Sequence, residues 1–136
     1  MPDTLTMPGT LTVPPLAPAA REEPALYVCV WDHVARYVTW LDAANGRSPH
    51  ETAARIMKIT EEAREAVAAY FGVTGANPRK GVTASPEDLA GELCDVVLAA
   101  LVALVTVTGG TPQAESCLAG HVAGRAVRLR GLRAAA

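Results

Sequence analysis

Apolar residues recur at steps of three and four along much of this 136-residue chain, which is the spacing of an α-helix. In the segment 49–71, one side carries Ile56, Ile59, Ala63, Val67 and Tyr70. Charged residues occupy another side of the same segment, namely Glu51, Arg55, Lys58, Glu62 and Glu65. The pattern predicts an amphipathic helix, and by itself its charged stripe is typical of a surface in contact with solvent.

Three proline-containing signals predict where helices begin. Ser48 is a favourable N-cap, Pro49 suits the first helical position, and Glu51 stands at the capping-box position. Ser85-Pro86 repeats this start with an aspartate in place of the glutamate, and Thr111-Pro112 opens a further helix in the same way. Because these signals are local, they define three helix starts independently of how the helices pack.

Glycines mark the predicted helix ends. Asn45-Gly46 and Phe71-Gly72 each place a glycine just past a helical segment, where a left-handed backbone is common. The first segment begins ambiguously, since Leu26–Trp31 is typical of a strand, but its continuation over Val34–Val38 favours a helix. The sequence therefore predicts an all-α bundle of about four helices, near residues 24–44, 49–71, 86–108 and 112–130.

The composition is that of one domain. Residues 1–20 contain five prolines without a helical period, so we expect a flexible extension there and a single all-α domain over 21–136. The net charge of −2 argues against a nucleic-acid partner. Three cysteines in no metal-binding pattern, with no evident signal peptide, indicate the cytoplasm.

The third predicted helix is unusually apolar. No charged residue occurs between Val96 and Ala114. A membrane span needs roughly 20 predominantly apolar residues, and this run is interrupted by Gly109-Gly110 and Pro112 near its end. We therefore expect a helix that is buried on every side at a subunit interface, rather than a membrane span.

Two acidic blocks carry the candidate chemistry. Glu61-Glu62-Ala63-Arg64-Glu65 and Glu92-Leu93-Cys94-Asp95 each place two acids three residues apart, on one face of a helix. If the two helices pair, these acids converge, and each like-charge pair repels by about 3 kcal/mol at an effective dielectric constant near 20. Oxygen ligands of this kind favour Mg²⁺, with Mn²⁺ as the alternative. The predicted ligands are Glu62, Glu65, Glu92 and Asp95.

The surroundings of the second block strengthen this interpretation. Glu92 and Asp95 lie among leucines and valines, on a segment without a lysine or arginine of its own. A carboxylate removed from water normally pairs, takes up a proton or binds a metal. Ion pairs with Arg55, Lys58 or Arg125 are the structural alternative to a metal site.

The loop between the two blocks is a candidate phosphate-binding segment. Its residues 75–81 include Asn77, Arg79 and Lys80, and arginine and lysine are the side chains that bind phosphate in many proteins. The same composition also describes an ordinary solvated turn.

Two further residues are candidates for contact with a nucleotide. Lys58 lies one turn before Glu62 and either contacts phosphate or neutralises the glutamates, of which we favour the second. Trp40 is the first choice for stacking on a nucleobase, although core packing also accounts for an aromatic residue there.

With its two acidic blocks, the sequence resembles the MazG-like nucleoside triphosphate pyrophosphohydrolases. The similarity rests on Lys58–Glu65 and Glu92–Val97, which match the family's E-E-x-x-E and E-x-x-D blocks, and it covers roughly residues 26–108. The resemblance implies an all-α homodimer or homotetramer. It also implies Mg²⁺-dependent hydrolysis of nucleoside triphosphates, such as dNTPs or noncanonical NTPs, to a monophosphate and pyrophosphate.

The resemblance implies roles for individual residues as well. Glu61 matches an acid that orients or deprotonates the attacking water, while Arg64 stands where the family often has glycine. The family's Mg²⁺ ligands match Glu62, Glu65, Glu92 and Asp95. Two alternatives stay open, a phosphoribosyl-ATP-type pyrophosphatase and a helical nucleotide- or metal-binding regulatory protein without turnover. We expect neither a nucleic-acid partner nor a membrane partner.

Overall fold

The computed structural model describes residues 29–134, and within that range it contains four α-helices and no strand. The helices are α1 (Val30–Asn45), α2 (Pro49–Thr74), α3 (Pro86–Thr108) and α4 (Thr111–Ala134). The predicted all-α fold is confirmed. The predicted extension over 1–20 and the predicted start of the first helix near residue 24 lie outside the described residues.

The predicted starts of α2 at Pro49 and α3 at Pro86 are confirmed, whereas α4 begins at Thr111, one residue before the predicted start. The Ser48 hydroxyl accepts a hydrogen bond from the Glu51 amide at 3.1 Å. At α3, the Asp88 amide donates to the Ser85 hydroxyl at 3.1 Å, and the Ser85 amide donates to the Asp88 carboxylate at 2.8 Å. These bonds satisfy amides that have no partner within the first helical turn. Hydrogen bonds from the backbone and side chain of Ser85 also hold the pKa of Asp88 below its ordinary value.

The predicted end of α2 at Phe71-Gly72 is wrong. The helix continues beyond it and is capped by Gly75, whose φ of 61° is left-handed. Gly72 is buried within the helix for a packing reason, because a Cβ there would lie 2.9 Å from both Ala84 Cβ and Thr83 Oγ1. The Thr83 amide donates to the Gly72 carbonyl at 3.0 Å. The missing side chain thus lets the connection to α3 pack directly on α2.

α3 is the central helix, because it contacts each of the other three and has α2 as its main neighbour. Gly72 meets Thr83 at one end of the α2–α3 pair, and Arg55 meets Thr106 at the other, so the two helices run antiparallel. A core cluster joins α1, α3 and the start of α4, and its buried members are Val34, Val38, Leu101, Val102, Val105 and Ala114.

Three of the five residues in the charged stripe of α2, namely Glu51, Arg55 and Glu62, are largely covered by the protein, whereas Lys58 and Glu65 are about half exposed. Arg55 is only 5% exposed, and the Glu62 side chain is 12% exposed. In contrast, Ile56 and Val67 of the opposite, apolar stripe are about half exposed. The interpretation of the charged stripe as a solvated surface therefore holds for Lys58 and Glu65 and is wrong for Glu51, Arg55 and Glu62. Part of the apolar stripe also lies on the surface of the protomer.

α3 also leaves much apolar surface uncovered. Among the described residues it is the one helix that is long and apolar enough to cross a membrane, with a mean hydropathy of 2.1 over a window that is 22% buried. Core helices of soluble proteins reach similar hydropathy, so this property alone does not assign a membrane span. Leu93, Val97 and Val107 are each more than half exposed. A single protomer therefore does not bury α3 on every side.

The packing at Gly72 predicts the effect of adding one methyl group. We expect Gly72→Ala to lower the free energy of unfolding by about 1–3 kcal/mol, because an overpacked contact forces neighbours to move. Gly91→Ala is the matched control, since a Cβ there meets no atom within 4 Å, and it should raise stability by about 0.5–1 kcal/mol. Urea unfolding of both variants measures the difference, and equal stabilities would contradict the packing argument.

Candidate metal centre

Carboxylates from α2 and α3 meet where the two helices pack. Glu62 and Glu65 lie one turn apart on α2, and Glu92 reaches them from the antiparallel α3. One oxygen atom from each of the three lies within 4.8 Å of the other two. The structure thus brings together three of the four predicted ligands.

Asp95, the fourth predicted ligand, stands at the edge of this cluster. It lies one turn after Glu92 on α3, and its side chain is exposed. It lines the same cavity as Glu62, and its negative charge acts on Glu92, although it is not one of the three convergent groups. A role as a ligand requires its carboxylate to turn towards the cluster.

The electrostatics of the cluster oppose ionisation of Glu92. Partial burial raises the pKa of Glu92, and the negative charges of Glu65, Asp95, Glu62 and Asp88 raise it further. Negative charge is therefore concentrated where the two helices meet. A divalent cation between these oxygens would turn the repulsion into attraction, which is why such a donor set fits a metal ion.

Lys58 offsets part of this charge. Its Nζ lies 2.7 Å from Glu62 Oε1 and 3.1 Å from Glu61 Oε2. Hydrogen bonds to Glu62 and then Glu61 raise the pKa of Lys58 well above its ordinary value. The sequence left two roles open for Lys58, contact with phosphate or neutralisation of the glutamates. The ion pairs with Glu61 and Glu62 are those of the second role. Glu61 is about half exposed and pairs with Lys58 at the rim of the cluster.

A cavity of about 370 Å³ opens beside the cluster, between α1, α2 and α3. Its volume lies in the range of roughly 300–1,000 Å³ that is usual for small-molecule sites. The walls are mainly apolar and include Val34, Leu41, Leu98, Ala99 and Val102. Polar residues lie at two ends: Lys58, Glu62 and Asp95 near the cluster, and Asn45, Glu51 and Arg55 at the opposite end.

Arg55 forms contacts between helices that the sequence did not predict. The sequence offered it only as a candidate partner for the acids of the cluster. In the structure its guanidinium group instead pairs with Glu51 and Asp42, each at 2.9 Å. One signal was available, because glutamate followed four residues later by arginine is a favourable pair on a helix. The contact with Asp42 joins different helices and has no local signature.

The predicted phosphate-binding loop lies at the other end of the α2–α3 pair from the first cavity. Asn77 and Lys80 line a separate cavity of about 360 Å³ beside the last turns of α2. The Arg79 amide donates to the Asn77 side chain at 3.0 Å, which stabilises a turn. Gly75 follows Glu65 by ten residues, or roughly 15 Å along the helix axis. Phosphate contact by this loop stays a prediction.

Trp40 lies on the exposed side of α1. Its ring stacks on Tyr37 with ring centroids 5.6 Å apart. Tyr37 lines the cavity, whereas Trp40 is one stacking layer further out. The structure therefore places an aromatic pair beside the cavity, and base stacking by Trp40 stays a prediction.

Comparisons of the chain with protein-family models, with curated proteins and with solved structures gave no match. The MazG-like resemblance of the two acidic blocks therefore stays a prediction.

The raised pKa of Glu92 predicts how stability responds to removal of its charge. Its folded pKa exceeds the unfolded value, so ionised Glu92 destabilises the metal-free fold above the folded pKa, and this penalty disappears below the ordinary value near 4.5. We expect Glu92→Gln to raise the melting temperature at pH 7 without divalent cations. The gain should vanish on acidification through that range.

The same melting experiment tests metal binding. Added Mg²⁺ should raise the melting temperature of the wild type more than that of Glu92→Gln, because a ligand stabilises the state that binds it. Glu115→Gln on α4 is the control for loss of one acid outside the cluster. A metal-free Glu92→Gln protein that melts below the wild type at pH 7 would contradict the electrostatic argument.

Proposed function

We propose that this protein hydrolyses nucleoside triphosphates to nucleoside monophosphates and pyrophosphate, using Mg²⁺, with Mn²⁺ as a substitute. The observation that carries the proposal is the convergence of Glu62, Glu65 and Glu92 within 4.8 Å beside a cavity of ligand size. The resemblance to MazG-like proteins supplies the substrate class, dNTPs or noncanonical NTPs, and the bond that is cleaved. We place this activity in the cytoplasm, with no nucleic-acid or membrane partner.

The donor set fits a hard divalent cation, since it consists of carboxylate oxygens. Glu62, Glu65 and Glu92 would hold the ion, with Asp95 as the additional ligand from the edge of the cluster. When bound, Mg²⁺ neutralises negative charge on the acids and the phosphates and lowers the pKa of a water molecule that it coordinates.

The other residues of the site have separate roles in this proposal. The apolar walls of the cavity hold the nucleoside and exclude water from it. Glu61, which is half exposed beside Lys58, orients the attacking water and accepts its proton. Lys58, which pairs with Glu62, would contact a phosphate oxygen of the substrate through its ammonium group if Glu62 served as a metal ligand. Positioning of this kind supplies most of the catalysis in phosphoryl transfer.

The phosphate end of the substrate points towards the second acidic block and the loop. Asn77, Arg79 and Lys80 add positive charge and an amide at the loop end of the α2–α3 pair. In this arrangement they attract the pyrophosphate portion from a distance rather than contact the reacting phosphorus. Trp40 extends the aromatic surface of Tyr37 beside the cavity and stacks on the base.

One observation favours a second candidate, a helical nucleotide-binding protein without turnover. Lys58 already forms ion pairs with Glu61 and Glu62, so the site has a counter-ion of its own. Arg64 adds a further positive charge, 3.9 Å from Glu65, at a position where the resembling family often has glycine. Under this second hypothesis, the protein binds a nucleotide and does not cleave it.

We further propose that the protein forms a homodimer or homotetramer through α2 and α3. The uncovered apolar residues of both helices, including Leu93 and Val97, supply the contact surface. A second copy would complete the burial of α3 that the sequence predicts. Burial of apolar surface contributes about 25 cal/mol per Å² and is the main driving force for such association.

Turnover is tested with purified protein, Mg²⁺ and a panel of dNTPs, NTPs and phosphoribosyl-ATP. We expect pyrophosphate and a monophosphate as products. Glu62→Gln and Asp95→Asn should each lower kcat/KM by more than about a hundredfold, because even outer-shell partners of metal ligands contribute about 10–100-fold. Glu115→Gln is the control and should retain full activity.

The products decide between the candidates. Orthophosphate with a diphosphate would contradict the proposed cleavage position. Nucleotide binding without turnover would favour the second candidate. Full activity in both Glu62→Gln and Asp95→Asn would show that the proposed ligands are wrong. Circular dichroism of each variant verifies that the helices remain intact.

Oligomerisation is tested by light scattering at micromolar concentration. We expect the mass of a dimer or tetramer for the wild type and a shift towards monomer for Val97→Glu, since an unpaired charge in an apolar contact is strongly unfavourable. Val82→Glu is the matched control, because Val82 is an exposed valine outside the helices. A monomeric wild type would contradict the proposed interface.

A further inference from the structure

Arg55 ties three helices together at the end of the first cavity that lies opposite the carboxylate cluster. Its Nε donates to Glu51 Oε1 at 2.9 Å, within α2. Its Nη1 donates to Asp42 Oδ1 of α1 at 2.9 Å and to Thr106 Oγ1 of α3 at 3.0 Å. Its Nη2 approaches the carbonyl of Gly46, just after α1, at 3.4 Å. One planar side chain therefore connects α1, α2 and α3.

The network is largely removed from solvent. The Arg55 side chain is 4% exposed, and those of Asp42 and Glu51 are each 14% exposed. Burial acts to lower the pKa of Arg55, but its hydrogen bonds to Glu51 and Asp42 raise it overall. The bond from Arg55 likewise lowers the pKa of Glu51. All three groups stay charged near neutral pH, so the contacts persist as ion pairs with fixed geometry.

The network also forms part of the cavity. Arg55, Glu51 and Asn45 line it, and the Asn45 side chain donates to Glu51 Oε1 at 3.2 Å. Arg55 precedes Glu62 by seven residues on α2, or roughly 10 Å along the helix. It is therefore separate from the carboxylate cluster, and it fixes the position of α1 across the cavity without contacting the proposed metal ligands.

We infer that Arg55 is a positioning residue for nucleotide binding: by fixing the end of α1 against α2 and α3, it gives the cavity its binding shape before a nucleotide enters. A preformed site avoids the cost of ordering its walls during binding. The nature of the ligand rests on the proposed function, whereas the preformed shape of the cavity does not.

The test compares Arg55→Met with Arg47→Met. Both variants remove an arginine that pairs with Asp42, but Arg47 is 80% exposed and does not line the cavity. Without nucleotide, hydrogen exchange of the backbone amides in residues 37–46 should speed up at least about tenfold in Arg55→Met, as expected for local opening, and stay unchanged in Arg47→Met.

Kinetics and metal binding distinguish positioning from a general loss of stability. For Arg55→Met we expect KM for the nucleotide to rise by about 10–100-fold, since small misplacements of a binding site have effects of this size. The turnover number should change by less than about threefold. The affinity of the carboxylate cluster for Mn²⁺, measured on the protein alone, should be unchanged. A raised exchange rate with unchanged KM would overturn the inference, and so would a parallel loss of Mn²⁺ affinity.

Two further outcomes are also decisive. If the wild type hydrolyses no nucleotide, the proposed function fails, and hydrogen exchange still decides whether Arg55 holds the cavity. If Arg55→Met does not fold, Thr106→Val removes the hydrogen bond from Arg55, together with the bond that the Thr106 hydroxyl donates to the Val102 carbonyl within α3, and leaves both ion pairs in place. It should accelerate exchange in residues 37–46 by a smaller factor, and unchanged exchange would overturn the inference.

Discussion

The packing of α2 on α3 is the constraint on which the rest of this structure depends, and it holds mutually repelling carboxylates together. Three acids lie within 4.8 Å of one another at this junction. Small residues make the close approach of the two elements feasible, since Ala66 is buried in α2 and Gly72 admits the connection to α3. The fold thus holds the acids closer together than their mutual repulsion favours. On the proposed function, a divalent cation would relieve that repulsion.

The first cavity joins two polar regions with opposite electrostatic character. At one end, Arg55 and Arg47 meet Asp42 and Glu51, so positive and negative groups balance in fixed pairs. At the other end, the acids outnumber the cations and the pKa of Glu92 rises. The end with paired charges is suited to a rigid structural role. The end with excess acids is suited to binding exchangeable cations. The apolar walls between them provide space for an uncharged part of a ligand.

Helix starts were predictable because their causes are local: a serine cap and a following proline act within one turn, as at Ser48 and Ser85. The inward side of α2 was not predictable from periodicity. An amphipathic pattern shows that two sides differ, and it does not show which one the same chain covers. Here ion pairs bury Arg55, while Ile56 and Val67 stay on the surface. The convergence of Glu62, Glu65 and Glu92 could be predicted from spacing, but the displaced position of Asp95 depends on helix rotation and side-chain rotamers, which no spacing rule contains.

The double ion pair of Lys58 gives the acidic pocket a resident counter-ion. This ammonium group offsets part of the negative charge that α2 and α3 bring together, so the two helices need not separate to relieve their repulsion. Because the ammonium group is carried by a flexible side chain of α2, it stays beside the acids and is also able to turn away from them. On the proposed function, metal binding would then require only a local exchange of partners at Glu62, without a movement of the two helices.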